Sequence, residues 1–550
     1  MEKKIKPSNG IDFNKCLHII YGSRTGNSNS AAQLAEKYAN HLGLDTCLLD
    51  MKTMNVSIMD NIKNLLLVVS THGEGDPPAV AQKFYNYLHH THNTSLNKLK
   101  FSVLALGDSS YKDYCKTGKD FEKRLKELGA QSVLPLVECD VDYEKNAKEW
   151  IEMAVNTFSN LLRPTKKAQD KLFSFNFHSN STDEDTFQVI VKDRYLLTHP
   201  DSDKKTFHIS LSSENLKLSY LPGDSIGIPC HNSRFLVDKL LKQLKYDGTY
   251  SIGEKGRIRL LKQVLIEDLE LTLITPLVIK KYAELIKNDK LEQLISNQTE
   301  LEQYCERHDI LDLVTDFPSP LNHEQFLSIL RPLKPRLYSV ASSCLKYPSE
   351  VHLTLRLMKY SLHKRQYIGV SSSFLSDRID SGESMPIYLE ENISFRLPEN
   401  KDTPIIMIGN GTGIAPYRAF LQERDHCQAK GDNWLIFGER SFKSNYLYKE
   451  EILDFKERGI LTRLDTAFSQ DQKDKIYVQD KIIEYGHDIY DWLINRKAVI
   501  YLCGSKRTMA KGVRESLLGI FCKEGQLSIQ EANDLINELK MKKQWQEDVY

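Results

Sequence analysis

C-L-H-I-I-Y-G-S-R-T-G-N-S, residues 16–28, joins a short apolar run directly to a small polar loop. The run at 16–22 has the length and composition of a buried parallel strand, and the spacing of apolar residues after the loop predicts a helix that stops at Gly43. Free backbone N–H groups at such a helix start attract an anion. The stretch therefore predicts a strand–loop–helix unit that binds a phosphate. The predicted contacts are Ser23, Arg24, Thr25, Gly26, Asn27 and Ser28.

Two further polar loops follow the next predicted strands. S-T-H-G-E-G at 70–75 follows the apolar run at 65–69, and L-G-D-S-S-Y-K-D-Y-C at 106–115 follows the run at 101–106; another strand is predicted at 133–137. Loops at the carboxyl ends of parallel strands meet at one edge of the sheet. Without a Walker lysine, that edge suits FMN better than a nucleoside triphosphate. The predicted contacts are Ser70, Thr71, His72, Gly73, Leu106, Gly107, Asp108, Ser109, Ser110, Tyr111 and Cys115.

Tyr111 and His72 are the flat side chains that could sandwich a flavin ring between these loops. The alternative for Tyr111 is an ordinary loop aromatic with no ligand. Convergence of three loops favours the flavin contact.

The composition excludes several classes of protein. Lysine plus arginine and aspartate plus glutamate both number 74 in 550 residues, so no nucleic-acid partner is expected. The ten cysteines form neither C-x-x-C pairs nor a Cys/His metal spacing, which predicts no metal site and a reducing, cytoplasmic compartment. Residues 1–14 lack the apolar core of a secretory signal, and no apolar run approaches the roughly 20 residues that span a bilayer, so no membrane association is expected.

The pattern of strands and helices divides the chain into three domains. A short tail at 1–16 precedes a doubly wound α/β domain at 17–162, and an aperiodic polar linker is predicted at 163–185. A β-rich domain follows at 186–399, with a helical insertion at about 232–333. Strands and helices alternate again from 400 to 550, which predicts a second α/β domain.

Two more motifs lie far downstream. R-L-Y-S at 336–339 offers a guanidinium that can grip phosphate oxygens as a fork, and suits FAD. G-N-G-T-G at 409–413 follows an apolar run and precedes a helix predicted near Pro416, as in turns that approach a dinucleotide pyrophosphate. Each motif alone is weak evidence, but together with the three loops their order resembles the diflavin reductase family. The resemblance implies a flavodoxin-like FMN domain, an FAD-binding β-barrel with a helical insertion, and a ferredoxin-reductase-like NADP-binding α/β domain.

The resemblance assigns FAD contacts to three parts of the barrel domain. In the family the arginine of R-x-Y-S meets the pyrophosphate, the tyrosine packs on the flavin and the serine hydroxyl lies near flavin N5. G-V-S-S at 369–372 would wrap the same pyrophosphate. The implied contacts are Thr272, Arg336, Leu337, Tyr338, Ser339, Thr354, Leu355, Arg356, Tyr360, Gly369, Val370, Ser371 and Ser372.

The last domain carries the implied nucleotide contacts and the end of the chain. F-G-E-R at 437–440, S-Q at 469–470, K-I-Y-V-Q at 475–479 and Y-L-C-G at 501–504 follow in the family's order. The final D-V-Y resembles the flavoprotein branch that serves bacterial assimilatory sulfite reductases, with a terminal tyrosine that would cover the FAD ring. The implied catalytic residues are Ser339, Cys503 and Asp548. The implied nucleotide contacts are Gly411, Thr412, Gly413, Arg440, Ser469, Gln470, Lys475, Ile476, Tyr477, Val478, Gln479 and Tyr550.

Three departures from the family pattern affect these expectations. Gln470 replaces the arginine that usually grips the adenosine 2′-phosphate, and Gly512 replaces an aspartate that contacts the same cofactor. A neutral amide cannot replace a guanidinium fork, which leaves Lys475, Tyr477 and either Arg440 or Arg463 for the phosphate. NADPH is still expected, with weaker discrimination against NADH. The leader before the FMN domain is also shorter than the assembly leader of the enterobacterial-type subunit, so the resemblance does not extend to that subunit's large oligomer.

The implied reaction is electron transfer from NADPH through FAD and FMN to a metalloprotein. The leading acceptor is the sirohaem and iron–sulfur haemoprotein subunit of sulfite reductase. One alternative is another soluble diflavin reductase, which would serve a cytochrome, a different haem protein or an iron–sulfur factor. A redox-silent interaction protein and a direct NADPH oxidase are the remaining alternatives. Acidic residues near the predicted FMN edge, among them Asp140 and Asp142, would steer a basic partner or form a solvated rim.

Overall fold

The computed structural model describes residues 16–23, 26–72, 75–90, 95–162, 186–213, 219–254, 257–362 and 365–550. The predicted linker at 163–185 therefore lies outside the described residues. The chain divides into two compact units: Met1–Ser181 with Leu273–Pro332, and Thr182–Thr272 with Leu333–Tyr550. No helix in the described ranges combines the length and the apolarity needed to cross a membrane.

The first unit begins with a parallel sheet covered on both faces. Its strands are β1 Leu17–Gly22, β2 Thr46–Asp50, β3 Asn64–Ser70, β4 Lys100–Leu106, β5 Gln131–Ser132 and β6 Val137–Cys139. The order is β2-β1-β3-β4-β5, and β6 also pairs with β4. The helices are α1 Asn27–His41, α2 Gln82–His90, α3 Lys116–Glu127 and α4 Glu144–Leu162. This is the predicted doubly wound fold.

Apolar side chains fill the space between the sheet and each helical layer. Ala31 of α1 and Trp150 of α4 belong to the core on one face, and Phe84 of α2 and Phe121 of α3 belong to the core on the other. The buried Trp150 satisfies its indole N–H by donating to Ser102 Oγ at 2.9 Å. Helices therefore cover both faces of the sheet and leave its carboxyl edge to the loops.

Two strand predictions in this sheet differ from the structure. Strand β2 was not predicted, because T-C-L-L-D at the sheet edge is only partly buried and has a short apolar core. The single strand predicted at 133–137 is wrong: pairing stops after Ser132 and resumes at Val137. Pro135 has no N–H for the ladder, and Ser132 Oγ donates instead to the Leu134 carbonyl at 2.6 Å.

The second unit starts with an antiparallel barrel. Its first strands are β7 Phe187–Leu196, β8 Thr206–Ser212 and β9 Ser225–Ile228, followed by α5 Arg234–Leu244, the hairpin β10 Ser251–Glu254 and β11 Arg257–Leu260, and α6 Leu261–Glu267. The hairpin interrupts the helical insertion predicted at 232–333.

The chain next returns to the first unit and forms five short helices. These are α7 Pro276–Leu285, α8 Asp289–Ser296, α9 Gln298–Arg307, α10 Ile310–Asp316 and α11 His323–Ile329. Each begins at a side-chain cap, which satisfies N–H groups that a short helix otherwise leaves unpaired. The caps are Thr275, Asn288, Asn297, Asp309 and Asn322.

The remaining strands of this domain comprise three barrel strands and a separate hairpin. They are β12 Arg336–Ser339, β13 Glu350–Arg356, β14 Lys359–Leu362, β15 Arg365–Ile368 and β16 Ser384–Glu390, with the one-turn helix α12 Val370–Ser373 before β16. The sheet order is β12-β9-β16-β7-β8-β13, and β14 and β15 form a separate hairpin. A bridge between Val340 and Leu353 joins the chain after β12 to β13, which brings the two sheet edges together.

The last domain of the second unit is another parallel sheet. Its strands are β17 Ile405–Asn410, β18 Asn433–Glu439, β19 Arg463–Phe468, β20 Val499–Gly504 and β21 Trp545–Val549, in the order β19-β18-β17-β20-β21. The helices are α13 Ile414–His426, α14 Phe442–Asn445, α15 Lys449–Glu457, α16 Val478–Glu484, α17 Gly486–Tyr490, α18 Lys511–Glu524 and α19 Ile529–Met541. The direction of winding reverses between β17 and β20, and such a switch point opens a crevice at the carboxyl edge.

Gly118 provides a test of the packing beneath the first sheet's ligand edge. A Cβ atom added at Gly118 of α3 would lie 2.4 Å from Ala105 Cβ on β4. We expect Gly118→Ala to cost about 1–3 kcal/mol through overpacking. Differential scanning calorimetry should then show the transition of the first unit lowered by about 2–12 °C.

Gly519→Ala is the matched control, since it changes another helical glycine. No atom lies within 4 Å of the added Cβ at Gly519 of α18. Alanine should there leave stability unchanged or raise it by about 0.4–1 kcal/mol. Equal effects of the two substitutions would contradict the close contact between α3 and β4.

Candidate functional site

The first loop lies at the switch point between β1 and β3. Gly26 takes a left-handed conformation with φ 88°, and its N–H donates to Ser23 Oγ at 2.9 Å just before α1 begins. Ser28 is buried in the first turn of α1, and its Oγ has no hydrogen-bond partner in the described part of the chain. A buried hydroxyl at a helix start is the donor that a phosphate needs. Arg24 and Thr25 lie outside the described residues.

The second and third loops are bonded to each other. Thr71 N donates to the Leu106 carbonyl at 2.8 Å, and Thr71 Oγ1 accepts from Thr117 N at 3.1 Å. Gly75 has φ 101°, and an added Cβ there would lie 2.6 Å from Asp113 Cβ, so only glycine fits this close approach. The structure therefore brings both predicted loops to one edge. Gly73 lies outside the described residues.

The third loop divides into exposed and buried members. Tyr111 is 42% exposed at the loop tip, as a flavin-stacking side chain must be. Leu106 is buried in the sheet core, and Cys115 is fully buried with its thiol donating to the Ala105 carbonyl at 3.3 Å. Burial raises the pKa of the Cys115 thiol to about 12. Cys115 thus anchors the end of the loop in the protein core. Ser109 and Ser110 form the middle of the loop.

Around R-L-Y-S, a buried carboxylate organises the predicted FAD contacts. Arg336 Nη2 donates to Glu270 Oε2 at 2.9 Å, while Thr272 donates to Glu270 Oε1 through both its N–H and its hydroxyl, at 2.9 and 2.8 Å. Glu270 was not predicted, because no local pattern links it to a strand that begins 66 residues later. It holds the guanidinium with donors left over for phosphate oxygens.

Tyr338 and the one-turn helix α12 form the other side of this site. The Tyr338 hydroxyl and Ser371 Oγ are 2.8 Å apart, and burial raises the pKa of Tyr338 to about 12. Gly369 precedes α12, and its carbonyl accepts from Ser372 Oγ at 3.2 Å. Arg378 Nη2 donates to the Val370 carbonyl at 2.6 Å. The G-V-S-S turn is therefore fixed next to the R-L-Y-S strand.

The remaining predicted FAD residues differ in exposure. Thr354 is buried and its Oγ1 lies 2.8 Å from the Tyr448 hydroxyl, and Leu355 belongs to the barrel core. Arg356 and Tyr360 are exposed, and the Tyr360 ring stacks on Tyr367 at 5.1 Å with an interplanar angle of 6°. Arg356 and Tyr360, like the exposed Leu337, have side chains at the surface, where a ligand could reach them.

Ser339, Cys503 and Asp548 come together at the ends of β12, β20 and β21. Ser339 Oγ donates to Asp548 Oδ2 at 2.9 Å, and the register of the two parallel strands places Cys503 opposite Asp548. Asn392, which was not predicted, donates to Asp548 Oδ1 at 3.5 Å. Burial and the nearby Asp548 carboxylate raise the pKa of the Cys503 thiol well above its ordinary value. The thiol is thus neutral beside an ionisable carboxyl group.

A cavity of about 530 Å³ opens at the carboxyl edge of the last sheet. It gathers most of the predicted nucleotide contacts and adds residues from strand ends, from the barrel's β7–β8 connection and from the helical turn before α18. The predicted members that line it are Gly411, Arg440, Ser469, Gln470, Lys475, Tyr477, Val478 and Gln479. The added members are Lys204, Asn410, Gly438, Glu439, Ala467, Thr508 and Met509. Of the other predicted contacts, Thr412, Gly413, Ile476 and Tyr550 do not line it.

Two ion pairs set the charge of this cavity. Lys204 Nζ lies 2.5 Å from Glu439 Oε1, and Glu439 Oε2 accepts from Arg440 N at 2.8 Å. Arg440 Nη1 in turn donates to Asp203 at 2.6 Å. Two of the basic groups are thus already paired with carboxylates, and the neutral Gln470 adds no charge. The cavity is less positive than its list of basic residues indicates.

The structure also locates Arg463 and Gly512. Arg463 pairs with Asp465 and Asp488 and lies 3.9 Å over the Trp434 ring, and it does not line the cavity. An added Cβ at Gly512 would lie 3.2 Å from Gln479 Cδ, so Gly512 borders a predicted nucleotide contact. Of the two arginines predicted as alternatives for the phosphate, Arg440 lines the cavity and Arg463 does not.

The terminal Tyr550 lies over the glycine-rich turn. Its hydroxyl is 2.5 Å from Thr412 Oγ1, its N–H donates to the Gly504 carbonyl at 3.1 Å, and the side chain is 60% exposed. An added Cβ at Gly413 would lie 2.2 Å from the Cys503 carbonyl, which shows how closely the turn packs on β20. The predicted turn, thiol and terminal ring are therefore adjacent.

Comparison with known proteins agrees with this architecture. Family models match residues 19–151 as Flavodoxin, 179–374 as FAD binding domain and 407–515 as Oxidoreductase NAD-binding domain. A chain with these three domains is a flavoprotein oxidoreductase that uses a nicotinamide nucleotide. The predicted domain types, and the flavin and nicotinamide cofactors that belong to them, are confirmed.

Curated relatives narrow the class. The chain is 38% identical to the sulfite reductase [NADPH] flavoprotein alpha-component of Bacillus subtilis over 98% of its own length and 89% of that protein. It is 40% identical to the protein of that name from Shewanella oneidensis, over 97% of its own length and 89% of that protein. The chain belongs to the family of sulfite reductase [NADPH] flavoprotein alpha-components, which confirms the predicted resemblance.

The raised pKa of Cys503 makes a prediction about thiol reactivity. Because a thiolate is the species that reacts with iodoacetamide, native protein at pH 8 should leave Cys503 unmodified. The partly exposed Cys427 should react, and peptide mapping by mass spectrometry would report both.

Asp548→Asn tests the cause of that protection. Burial is the larger cause of the raised pKa, so Cys503 should stay unmodified after the substitution. Denaturation in urea is the positive control and should expose all ten cysteines. Alkylation of native Cys503 at the rate of Cys427 would contradict its burial.

Proposed function

We propose that the chain is the electron-donating subunit of a cytoplasmic sulfite reductase. It takes electrons from NADPH and delivers them through FAD and FMN to a sirohaem and iron–sulfur haemoprotein that reduces sulfite to sulfide. The observation that carries the proposal is the contact of Ser339 with Asp548 beside Cys503. This contact joins the FAD-signature strand to the edge of the nucleotide-binding sheet.

In the first electron transfer, the protein positions the nicotinamide and the flavin and supplies the local electric field around them. When bound, the nicotinamide supplies a hydride, and the two flavins convert it into single-electron transfers. Asp548 places a carboxylate between Ser339 and Cys503, and Ser339 and Asn392 hold that carboxylate by hydrogen bonds. The neutral Cys503 thiol adds bulk without charge. Such pre-oriented groups contribute by geometry and local field and need form no covalent bond to substrate.

The large cavity supports the assignment of the nucleotide site. Arg440 and Lys475 supply positive charge, and Ser469, Tyr477 and Gln479 supply hydrogen-bonding groups around the same volume. Lys204 is held in place by Glu439. Tyr550 covers the neighbouring turn and would have to move for the nicotinamide to approach the Cys503 end. The chain's role here is to bind the nucleotide and to exclude water.

The first sheet supports the assignment of FMN. The unpartnered Ser28 hydroxyl fits a phosphate at the start of α1, and the exposed Tyr111 fits the face of a flavin ring. Both lie at the edge where the three loops meet, which is the usual ligand edge of such a sheet.

The acceptor assignment is tested by a reconstituted reaction. Purified chain, NADPH and a purified sirohaem and iron–sulfur haemoprotein should produce sulfide from sulfite, with about one FMN and one FAD per chain. A chain lacking flavin should give none. Reduction of cytochrome c without sulfide formation would instead support a diflavin reductase for another acceptor, and absence of flavin would support a redox-silent protein.

Nucleotide selectivity is tested by Gln470→Arg. A guanidinium at this position of the cavity should restore a fork for the 2′-phosphate, so the ratio of kcat/KM for NADPH to that for NADH should rise at least about tenfold. The increase should lie mainly in the KM for NADPH, because the phosphate is remote from the reacting carbon. Steady-state kinetics with both nucleotides provide the measurement.

Gln530→Arg is the matched control for that substitution. Gln530 lies on helix α19, hydrogen-bonded to Asp534 and away from the cavity, so the same change in charge should leave the selectivity ratio unchanged. A preference for NADH in the unaltered chain would overturn the NADPH assignment. An unchanged ratio in Gln470→Arg would show that position 470 does not meet the phosphate.

A further inference from the structure

A cluster of buried polar side chains joins the third loop of the first unit to its helical segment. Arg331, two residues after α11 ends, is 6% exposed and contacts two carboxylates of the flavodoxin-type domain. Its Nη2 donates to Asp108 Oδ1 and, at 3.3 Å, to Asp140 Oδ1. Its Nε lies 3.2 Å from Asp140 Oδ2. One guanidinium therefore bridges two acidic side chains that come from separate loops.

Both carboxylates also bind the backbone of the third loop. Asp140 accepts from Ser109 N at 2.9 Å and from Ser109 Oγ at 2.6 Å. Asp108 Oδ1 accepts from Ser110 N at 2.9 Å and from Ser110 Oγ at 2.6 Å. The conformation of residues 108–110 thus depends on two carboxylates whose charge Arg331 balances. These three residues are in the loop predicted to contact FMN.

A second contact from the helical segment reaches the same place. Ser109 Oγ lies 3.1 Å from Thr275 Oγ1, and Thr275 caps helix α7 by accepting from Val278 N at 3.3 Å. Burial acts to raise the pKa of Asp108, but Arg331 and the bonds from Ser110 outweigh it and hold that pKa below its ordinary value. The loop is therefore fixed by charged groups as well as by chain geometry. Asp140, which the sequence predicts as either a steering group or part of a solvated rim, is instead buried in this cluster.

We propose that Arg331 is a positioning residue for the flavodoxin-type loop at 106–115 and so determines FMN affinity from outside the flavodoxin domain, an inference that rests on the FMN assignment made above. Removing the guanidinium leaves the buried Asp140 carboxylate and the partly exposed Asp108 carboxylate close together without the cation that bridges them. They would separate or protonate, and either change would release the bonds that shape residues 108–110.

Other ion pairs of the same region provide controls. Lys281 Nζ lies 3.5 Å from Asp142 Oδ2, and Lys112 Nζ lies 3.6 Å from Glu302 Oε2, but both pairs are substantially exposed. Exposed ion pairs of this kind contribute little to the free energy of folding. Arg259 matches Arg331 chemically, because it bridges Glu267 and Asp268, but it belongs to the second unit. Lys281→Gln and Arg259→Met should therefore both leave FMN affinity unchanged.

The test is FMN titration of the full chain after mild removal of FMN, with the FAD content measured in the same samples. Arg331→Met should raise the Kd for FMN at least tenfold while FAD per chain stays unchanged. Arg331→Lys, which keeps the charge but loses the fork, should give an intermediate Kd. Adding Asp140→Asn to Arg331→Met should lower the Kd again, because it removes one of the two unbalanced charges while the amide oxygen can still accept from Ser109 N.

Recovery of FMN affinity by Asp140→Asn distinguishes a positioning role from general loss of structure. If Arg331→Met simply unfolded the protein, a second substitution would weaken FMN binding further. A Kd for Arg331→Met within twofold of that of the unaltered chain would overturn the inference, as would parallel loss of FMN and FAD. If Arg331→Met is insoluble, the Kd of Arg331→Lys decides by the same twofold limit. An unaltered chain that binds no FMN would refute the FMN assignment and this inference with it, whereas normal FMN binding by both chains would refute the inference alone.

Discussion

Parallel strand pairing is the constraint on which the predicted ligand sites at the carboxyl edges of both parallel sheets depend. In the sheet from β1 to β6 and in the sheet from β17 to β21, all strands point the same way, so every loop after a strand emerges at one edge. Helices on both faces bury the apolar strands and leave only that edge for polar groups. A buried hydroxyl such as Ser28 Oγ, or a glycine turn such as 411–413, is then at a switch point by topology.

The last strand adds a constraint of register to this topology. Strand β21 pairs with β20 so that Cys503 faces Asp548, and Ser339 of the barrel donates to the same carboxylate. Side chains alternate faces along a strand, so a slip of one residue would turn Asp548 away from Ser339 and move Glu547 into its place. Glu547 is itself held by Arg514 at 3.1 Å and by the Trp545 indole at 2.5 Å. The Trp545 bond lies within β21 and moves with the strand, but the ion pair with Arg514 of α18 favours the observed register and so keeps Asp548 beside Ser339.

The sequence predicts the parts of this molecule that follow local rules. Strand–loop–helix units are contiguous, so the three loops of the first sheet and the glycine turn could be recognised from their residues, as could the short R-L-Y-S motif. Glu270, Asn392, Lys204 and Arg331 could not, because each acts on a residue far along the chain and belongs to no local motif. Short edge strands such as β2 and β5 were missed for a related reason, since they bury too little apolar surface to show a clear pattern.

The residues that sequence reasoning missed share one chemical feature: most are charges paired with an opposite charge near a predicted ligand. Glu270 holds Arg336, Glu439 holds Lys204, and Arg331 bridges Asp108 and Asp140. Such pairing lowers the net positive charge available to an incoming phosphate. Electrostatic attraction of a phosphate therefore does not explain why these charges are paired. A guanidinium has five N–H donors and can give some to a carboxylate while others remain for a ligand. Desolvated charges are costly unless they are paired in good geometry, and the same geometry that satisfies them also fixes the direction of the remaining donors. These pairs therefore fix the orientation of charge near the predicted ligands and do not add to its excess.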